Sequence, residues 1–206
     1  MANNSNVTQR IQQYLIRTDL DDLLDHTPVI EKCVRAFIEA LGDLPPGFDE
    51  NTLYTYSVPM MSEDGTCSLI EELAPTHYDL SAILGGRSDS NKRKLLLLNQ
   101  LVEHGTQLTG ADWLGIYQAR KNGFADPVLV KLAYRGRPSR AEFPLTVQFA
   151  AGSTNSTVGL SGHAKVIDDV AAYTAEGGGF YVCDDAVQAE ICVPLIRRGG
   201  QSHRHN

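Results

Sequence analysis

One segment constrains the fold and the chemistry of this chain more than any other, Val166 to Leu195, with the sequence VIDDVAAYTAEGGGFYVCDDAVQAEICVPL. The pattern predicts a strand, an acidic turn, a glycine hinge, a Cys-Asp-Asp sequence at the start of a helix, and a second strand that carries Glu190. A thiol and carboxylates placed between apolar walls are typical of a pocket for a small molecule. We therefore predict a small-molecule site in this segment.

The composition indicates one main domain and limits the partners. A chain of 206 residues with 42% hydrophobic content can bury one full core and a small extension. The net charge of −7 argues against nucleic acid or an anionic membrane as the main partner, because both require a basic surface. The amino terminus is polar, and no stretch approaches the ~18 apolar residues of a membrane span. We expect a cytoplasmic protein.

The cysteines predict neither a zinc site nor a disulfide framework. They are widely spaced and form no CxxC pair. The four positions are Cys33, Cys67, Cys183 and Cys192. We expect no metal and no other cofactor, and interpret His203 and His205 as part of a polar tail.

Residues 1–86 are predicted to form a mainly helical extension. Apolar residues recur at helical spacing from Val7 to Leu24 and again from Pro28 to Leu41, which favours a helical hairpin. A short strand near Leu53 to Val58 and a weak helix from Ser68 to Leu73 follow. The Gly- and Ser-rich residues 85–90 look like a linker, so the main domain is predicted over 87–200, followed by a polar tail at 201–206.

The main domain is predicted to be α+β. A helix from Asn91 to Leu108 precedes strands that alternate apolar and polar residues, which is typical of an antiparallel sheet with one solvated face. An Asn-Gly pair at 122–123 predicts a hairpin between the first two strands. The four predicted strands are Trp113 to Ala119, Val128 to Tyr134, Glu142 to Phe149 and Glu190 to Ile196.

Three motifs carry a family resemblance. They are DWLGIY at 112–117, DDV at 168–170, and VCDD with EICVPL at 182–185 and 190–195. Together they resemble the free methionine-R-sulfoxide reductase branch of the GAF domains, over about Lys92 to Ile196. The resemblance implies a GAF-like antiparallel sheet flanked by helices, and thiol-based reduction of free methionine-R-sulfoxide.

The resemblance also implies a role for each site residue. Cys183 corresponds to the catalytic nucleophile, which attacks the sulfoxide sulfur and becomes a sulfenic acid. Trp113 and Tyr117 correspond to the wall around the methyl-sulfoxide end. Asp184 and Glu190 are expected to contact the substrate, with Glu190 facing its amino group.

Each of these residues also has a structural interpretation. Trp113 could be an ordinary core residue, Cys183 a buried inert thiol, and Glu190 an exposed strand end. The carboxylate of Asp184 disfavours a thiolate at Cys183, whereas a helix amino terminus favours one. Sequence alone does not decide between these effects. Asp169 is interpreted as a structural acceptor in a turn.

The sequence departs from the family at several positions. Asn155 and Leu145 stand where the family has the two cysteines that resolve the sulfenic acid, so turnover would need an external thiol reductant of the thioredoxin kind. Phe180 replaces a His, and Ala189 replaces a Ser. After residue 200 the chain is polar where the family has a further strand, which suggests a truncated domain that lacks its last strand. We then expect an open sheet edge, exposed apolar side chains and poor solubility.

Two functions remain open from the sequence. One is the reductase, acting on a small molecule with an external thiol. The other is a non-catalytic GAF signalling module that binds a small molecule or forms a homodimer, because GAF sheets host both sensing and catalysis. The missing cysteines favour the module, and the Cys183 and Glu190 motifs favour the enzyme.

Overall fold

A computed structural model describes residues 4–41, 50–61, 72–180 and 186–196. The fold is α+β, with helices around small antiparallel sheets. The α-helices of the described residues are α1 Asn4–Arg17, α2 Thr27–Ala40, α3 Glu50–Tyr54, α4 Leu80–Leu84, α5 Asp89–Thr109, α6 Val147–Ala150, α7 Thr154–Ser161 and α8 Val170–Ala175. The strands are β1 Thr55–Tyr56, β2 Tyr78–Asp79, β3 Leu114–Lys121, β4 Pro127–Arg135, β5 Glu142–Pro144, β6 Lys165–Ile167 and β7 Glu190–Cys192.

The predicted amino-terminal helical hairpin is confirmed with different bounds. Helices α1 and α2 pack together, and the Thr8 hydroxyl donates a hydrogen bond to Glu31. The first helix ends at Arg17 and not at Leu24, because Asp19 adopts a left-handed backbone with φ of 58°. A short 3-10 helix, Asp21–His26, then leads into α2.

The hairpin is also tied to the two-stranded sheet of β6 and β7. The backbone N–H of Ala164, immediately before β6, donates to the carbonyl of Thr18 at 2.8 Å. The Tyr14 hydroxyl donates to the carbonyl of Pro194, just after β7, at 3.0 Å. The end of α1 and the residue after it are therefore hydrogen-bonded to residues that flank both strands of this sheet.

The central sheet has the order β3-β4-β5, all antiparallel, and α5 packs on β3 and β4. This confirms the first two strands and the long helix, which begins at Asp89 because the Ser88 side chain caps it. The main buried cluster is formed by Leu53, Tyr54, Leu80, Leu95, Leu96, Val128, Val130 and Leu132. This core draws side chains from both sides of the boundary at 86/87, which stays a prediction.

The predicted third strand, Glu142 to Phe149, is wrong beyond Pro144. The Thr146 hydroxyl accepts a hydrogen bond from the Phe149 backbone at 3.2 Å and begins α6. Val147 is 77% exposed, although the alternation placed it on the same face as the buried Phe143. A local cap therefore overrode the alternating pattern.

The predicted fourth strand, Glu190 to Ile196, is shorter and belongs to another sheet. Strand β7 ends at Cys192 and pairs with β6. In the described ranges, β3 and β7 each pair with a single strand, and apolar side chains in and near β7 are exposed; the missing last strand stays a prediction. These exposed side chains are Val166, Ile191, Val193 and Leu195.

The region before α5 also differs from its prediction. Helix α3 includes Leu53 and Tyr54, which were expected in a strand, and only Thr55–Tyr56 is extended. The predicted helix from Ser68 lies largely outside the described residues, as do the tail at 201–206 and residues 197–200. No helix in the described ranges is long and apolar enough to cross a membrane.

Candidate functional site

The two aromatic residues predicted to line the site lie together. Tyr117 lies in β3, and Trp113 is the residue directly before this strand. Their ring centroids are 6.1 Å apart. The array continues from Tyr117 to Phe143 at 5.4 Å and on to Phe149 at 6.3 Å. We call these four residues the aromatic wall. The wall offers the apolar surface that a thioether or sulfoxide group would contact.

Two glycines leave the space that the Trp113 indole occupies. A Cβ atom on Gly115 would lie 2.3 Å from indole Cη2, and one on Gly136 would lie 2.6 Å from Cδ1. Gly136 also has a φ of +110°, which L side chains rarely adopt. The indole Nε1 donates to the carbonyl of Arg137 at 3.2 Å. The indole is therefore fixed by close backbone contact as well as by side-chain packing.

Replacing Gly115 by alanine should displace the indole. The added methyl overlaps the ring, so we expect a loss of about 1–3 kcal/mol in the free energy of unfolding and greater quenching of tryptophan fluorescence by acrylamide. Trp113 is the single tryptophan, so its emission reports this position alone. Gly123→Ala is the matched control, because its Cβ meets nothing within 4 Å. Equal quenching in both variants would contradict the close fit.

Arg140 extends the aromatic wall with a positive charge. Its guanidinium carbon lies 4.7 Å from the Phe149 ring centre and 5.4 Å from that of Phe143. Its Nε donates to the carbonyl of Glu142 at 2.6 Å. Sequence reasoning missed Arg140 and Phe149, because their contact requires the chain to turn into α6 where a strand was predicted.

Glu190 lies in β7, half-buried beside the start of α7. Burial raises the pKa of its carboxyl above the usual value, and the nearby Thr154 hydroxyl and Lys165 ammonium oppose this rise. Thr154 Oγ1 is buried and makes no hydrogen bond to a described residue. Its lowering of the Glu190 pKa therefore comes from proximity and not from a well-formed hydrogen bond. Lys165 Nζ donates to the Tyr173 hydroxyl at 2.8 Å. A desolvated carboxylate of this kind would be stabilised by a ligand ammonium.

The raised pKa makes Glu190 a pH-dependent cost to stability. The Glu190 carboxyl holds its proton more tightly in the folded state than in the unfolded state. The contribution of Glu190 to the free energy of unfolding therefore falls as the pH rises from the unfolded-state pKa through the folded-state pKa. We therefore expect Glu190→Gln to melt at a higher temperature than the wild type at pH 7, with the difference vanishing below about pH 4. Thermal melts across this range are the measurement. Exposed Glu39 on α2 supplies the control, Glu39→Gln, and a lower melting temperature for Glu190→Gln at pH 7 would contradict the prediction.

The glycine hinge, residues 177–179, lies in close contact with Tyr173 of α8 and with the turn between α6 and α7. A Cβ on Gly178 would lie 2.4 Å from the Tyr173 ring, and one on Gly179 would lie 2.0 Å from the carbonyl oxygen of Ala151. The hinge leads directly to residues 181–185, so the predicted site residues Cys183 and Asp184 lie outside the described residues.

Asp169 acts as the structural acceptor that the sequence predicted. Its carboxylate accepts a hydrogen bond from the Ala172 backbone at 2.9 Å and caps α8. The Val170 N–H donates to the carbonyl of Gln188 at 2.9 Å, which ties α8 to the segment that leads into β7. This acidic turn therefore has a structural role between α8 and the segment before β7.

The residues at 145 and 155 do not provide a second thiol. Cys192 Sγ lies 3.4 Å from Asn155 Oδ1, where it donates a weak hydrogen bond. Burial, and then the charge of Glu190, raise the pKa of the Cys192 thiol to about 12. Cys33 is exposed on α2. Cys192 is therefore a protonated structural thiol.

The turn between α6 and α7 has residues of both parts of the predicted site beside it in the chain or in contact with it. Phe149 of the aromatic wall lies in α6, Ala151 of the turn contacts the glycine hinge, and Thr154 begins α7 beside Glu190. Trp113 and Tyr117 are on the central sheet, whereas Glu190 is on the two-stranded sheet. The site is therefore predicted to lie across this turn.

Two clefts of the described residues have linings that include neither Trp113, Tyr117 nor Glu190. One of about 290 Å³ lies between α3, α5 and the end of β4, with Tyr56 and Tyr134 among its walls. The other, of about 230 Å³, is lined by Tyr78, Arg140 and Glu142 among others. Among the described residues, no group of three His, Cys, Asp or Glu side chains could hold a metal ion.

No protein-family model, curated protein or solved structure matches the chain.

Proposed function

We propose that this chain is a GAF-like reductase of free methionine-R-sulfoxide, with its site across the turn between α6 and α7. One observation carries the proposal. The aromatic wall and the half-buried Glu190 flank the same turn, and this turn contacts the glycine hinge that leads to Cys183. An apolar surface at one end and a carboxylate at the other suit an amino acid with an apolar side chain.

The proposed reaction transfers one oxygen atom. The Cys183 thiolate attacks the sulfoxide sulfur, and the sulfoxide oxygen takes up a proton. The adduct then collapses: the transient sulfur–sulfur bond and the sulfur–oxygen bond of the substrate break, methionine leaves, and the hydroxyl is transferred to the Cys183 sulfur, which becomes a sulfenic acid. Trp113 and Tyr117 pack on the methyl and thioether groups, and Glu190 binds the ammonium. An external dithiol of the thioredoxin kind then reduces the sulfenic acid, forming water, a mixed disulfide and finally its own disulfide.

The test is a single-turnover experiment. We expect the 206-residue chain, incubated with free methionine-R-sulfoxide and no reductant, to release about one methionine per protein. Mass spectrometry should detect a sulfenic acid on Cys183, trapped with a dimedone-type reagent. Cys183→Ser is the control and should yield no methionine. Unchanged product in the control would remove Cys183 from the mechanism.

A second function is favoured by the residues at positions 155 and 192, because neither supplies a reactive second thiol. Asn155 occupies the place that the resemblance gives to a resolving cysteine, and the Cys192 thiol beside it is kept protonated by burial and by the charge of Glu190. The alternative is a non-catalytic module that binds the same class of ligand. Binding of methionine-R-sulfoxide by calorimetry, with no methionine formed by either the wild type or Cys183→Ser, would favour it.

Thiol labelling tests the assignment of Cys192. With a pKa of about 12, about one Cys192 in ten thousand is ionised at pH 8. We expect iodoacetamide to label the exposed Cys33 of the folded chain quickly and Cys192 only after unfolding, as measured by peptide mass spectrometry. Labelling of both at similar rates in the folded chain would show that Cys192 is available as a second thiol.

A further inference from the structure

The turn between β3 and β4 presents an aromatic ring to solvent. Phe124 lies at its tip and is 90% exposed, more than any other large hydrophobic side chain of the described residues. Asn122 Oδ1 accepts hydrogen bonds from the backbone N–H groups of Phe124 and Asp126, both at 3.0 Å. Ala125 has a left-handed backbone with φ of 66°, which few side chains adopt. The turn is therefore held in a shape that keeps the ring away from the core.

A ring held in this way is typical of an anchor for a binding partner. Turn tips favour small polar residues, whereas a phenylalanine left in water forgoes the burial of about 150–250 Å² of surface. The fixed turn has little conformational entropy left to lose when the ring enters a pocket. Aromatic side chains that fill a pocket of the partner contribute a large share of the binding energy at protein interfaces.

An apolar cleft that fits a phenyl ring lies beside this turn. The cleft has a volume of about 230 Å³, and its apolar lining residues are Val58, Pro59, Met61 and Ala141. An apolar cavity of about 150 Å³ is enough to bind benzene. Glu142 also lines the cleft, and its Oε2 accepts a hydrogen bond from Asn122 Nδ2 at 3.4 Å. The tip and the cleft are therefore neighbours, but the exposed Phe124 does not fill the cleft of its own chain.

Symmetry and charge favour a second copy of the chain as the partner. A two-fold axis that places the ring of one copy in the cleft of the other forms both contacts at once. Exposed Lys121 lies at the base of the turn, and Glu142 supplies a carboxylate at the cleft, so the two surfaces carry opposite charges. We propose that two copies of this chain associate by seating Phe124 of each in the cleft of the other. This contact does not depend on the proposed reductase activity.

Sedimentation of the 206-residue chain over a range of concentrations tests the inference. We expect a dimer with a dissociation constant in the micromolar range, because two aromatic anchors form a small interface. Phe124→Ala should weaken the dimer by about thirtyfold or more. Met61→Lys should have a similar effect, because it places a charge in the apolar cleft. Both side chains are exposed, so both variants should keep the circular dichroism of the wild type.

A mixture of the two variants distinguishes this contact from other modes of association. Phe124→Ala keeps the cleft and Met61→Lys keeps the ring, so the mixed dimer retains one of the two contacts and should be tighter than the dimer of either variant. The control is Val147→Ala on α6, where the side chain is 77% exposed, and it should leave the dimer unchanged. A wild type that stays monomeric up to about 1 mM would overturn the inference. A mixture that associates no more tightly than its components would also overturn it.

Discussion

Replacing Leu80 by alanine should lower the free energy of unfolding by about 2–5 kcal/mol. Leu80 is fully buried at the start of α4, in the cluster that also contains Leu95 of α5 and Val130 of β4. Removal of its side chain leaves a cavity among elements that cannot all close onto it. The cluster contains side chains from both sides of the predicted boundary at 86/87, so both parts should unfold together. The loss of stability should therefore appear as a shift of one unfolding transition.

Urea denaturation with two probes measures this effect. Far-UV circular dichroism follows the helices, and Trp113 fluorescence follows the start of β3. We expect coincident transitions that shift together in Leu80→Ala. The matched control is Leu97→Ala on α5, where the side chain is 45% exposed and the cost should be small. A shift in the helical signal alone would indicate that residues before 86 fold as a separate unit.

Replacing Gly179 by alanine should abolish most of the proposed reductase activity. Its Cβ would lie 2.0 Å from the carbonyl oxygen of Ala151, so the backbone of the hinge must move. Because residues 181–185 follow directly, Cys183 should move as well, and a displacement of about 1 Å at a reacting group costs roughly a hundredfold in rate. We expect this loss in the single-turnover yield of methionine, together with about 1–3 kcal/mol in stability.

A neighbouring glycine supplies the control. Gly152 lies in the same turn, and a Cβ there meets nothing within 4 Å. Gly152→Ala should therefore retain both the rate and the stability. If Gly179→Ala keeps the wild-type rate, the hinge does not position Cys183. If Gly152→Ala loses as much as Gly179→Ala, the turn is sensitive to any substitution, and the specific contact with Ala151 is not the cause.

Sequence reasoning succeeded where the local signals agree with one another. Helix α5 has apolar residues at helical spacing and a serine cap at Ser88, and strands β3 and β4 alternate and are joined by an Asn-Gly pair. It failed at 142–149, where alternation and a cap at Thr146 compete. The cap was visible in the sequence, but its advantage depends on Phe149 packing against Phe143, which is a tertiary contact.

The candidate site residues also differ in whether local sequence signals or tertiary contacts determine their positions. The proximity of Trp113 and Tyr117 follows from their spacing on a strand, and the raised pKa of Glu190 follows from its place in an apolar strand. The roles of Gly115 and Gly136 could not be predicted, because they depend on where the indole folds back. Arg140 was missed for a related reason, since its contact with Phe149 exists only after the chain turns into α6.

The hydrogen bonds from helix α1 to both strands of the small sheet have a consequence for local unfolding. A two-stranded sheet is marginal alone, so β6 and β7 depend on what holds them. The Thr18 carbonyl and the Tyr14 hydroxyl secure one strand each. We expect α1 and this sheet to open as one unit on the time scale of hydrogen exchange. A ligand that binds Glu190 should then slow amide exchange in α1 as well as in β6 and β7.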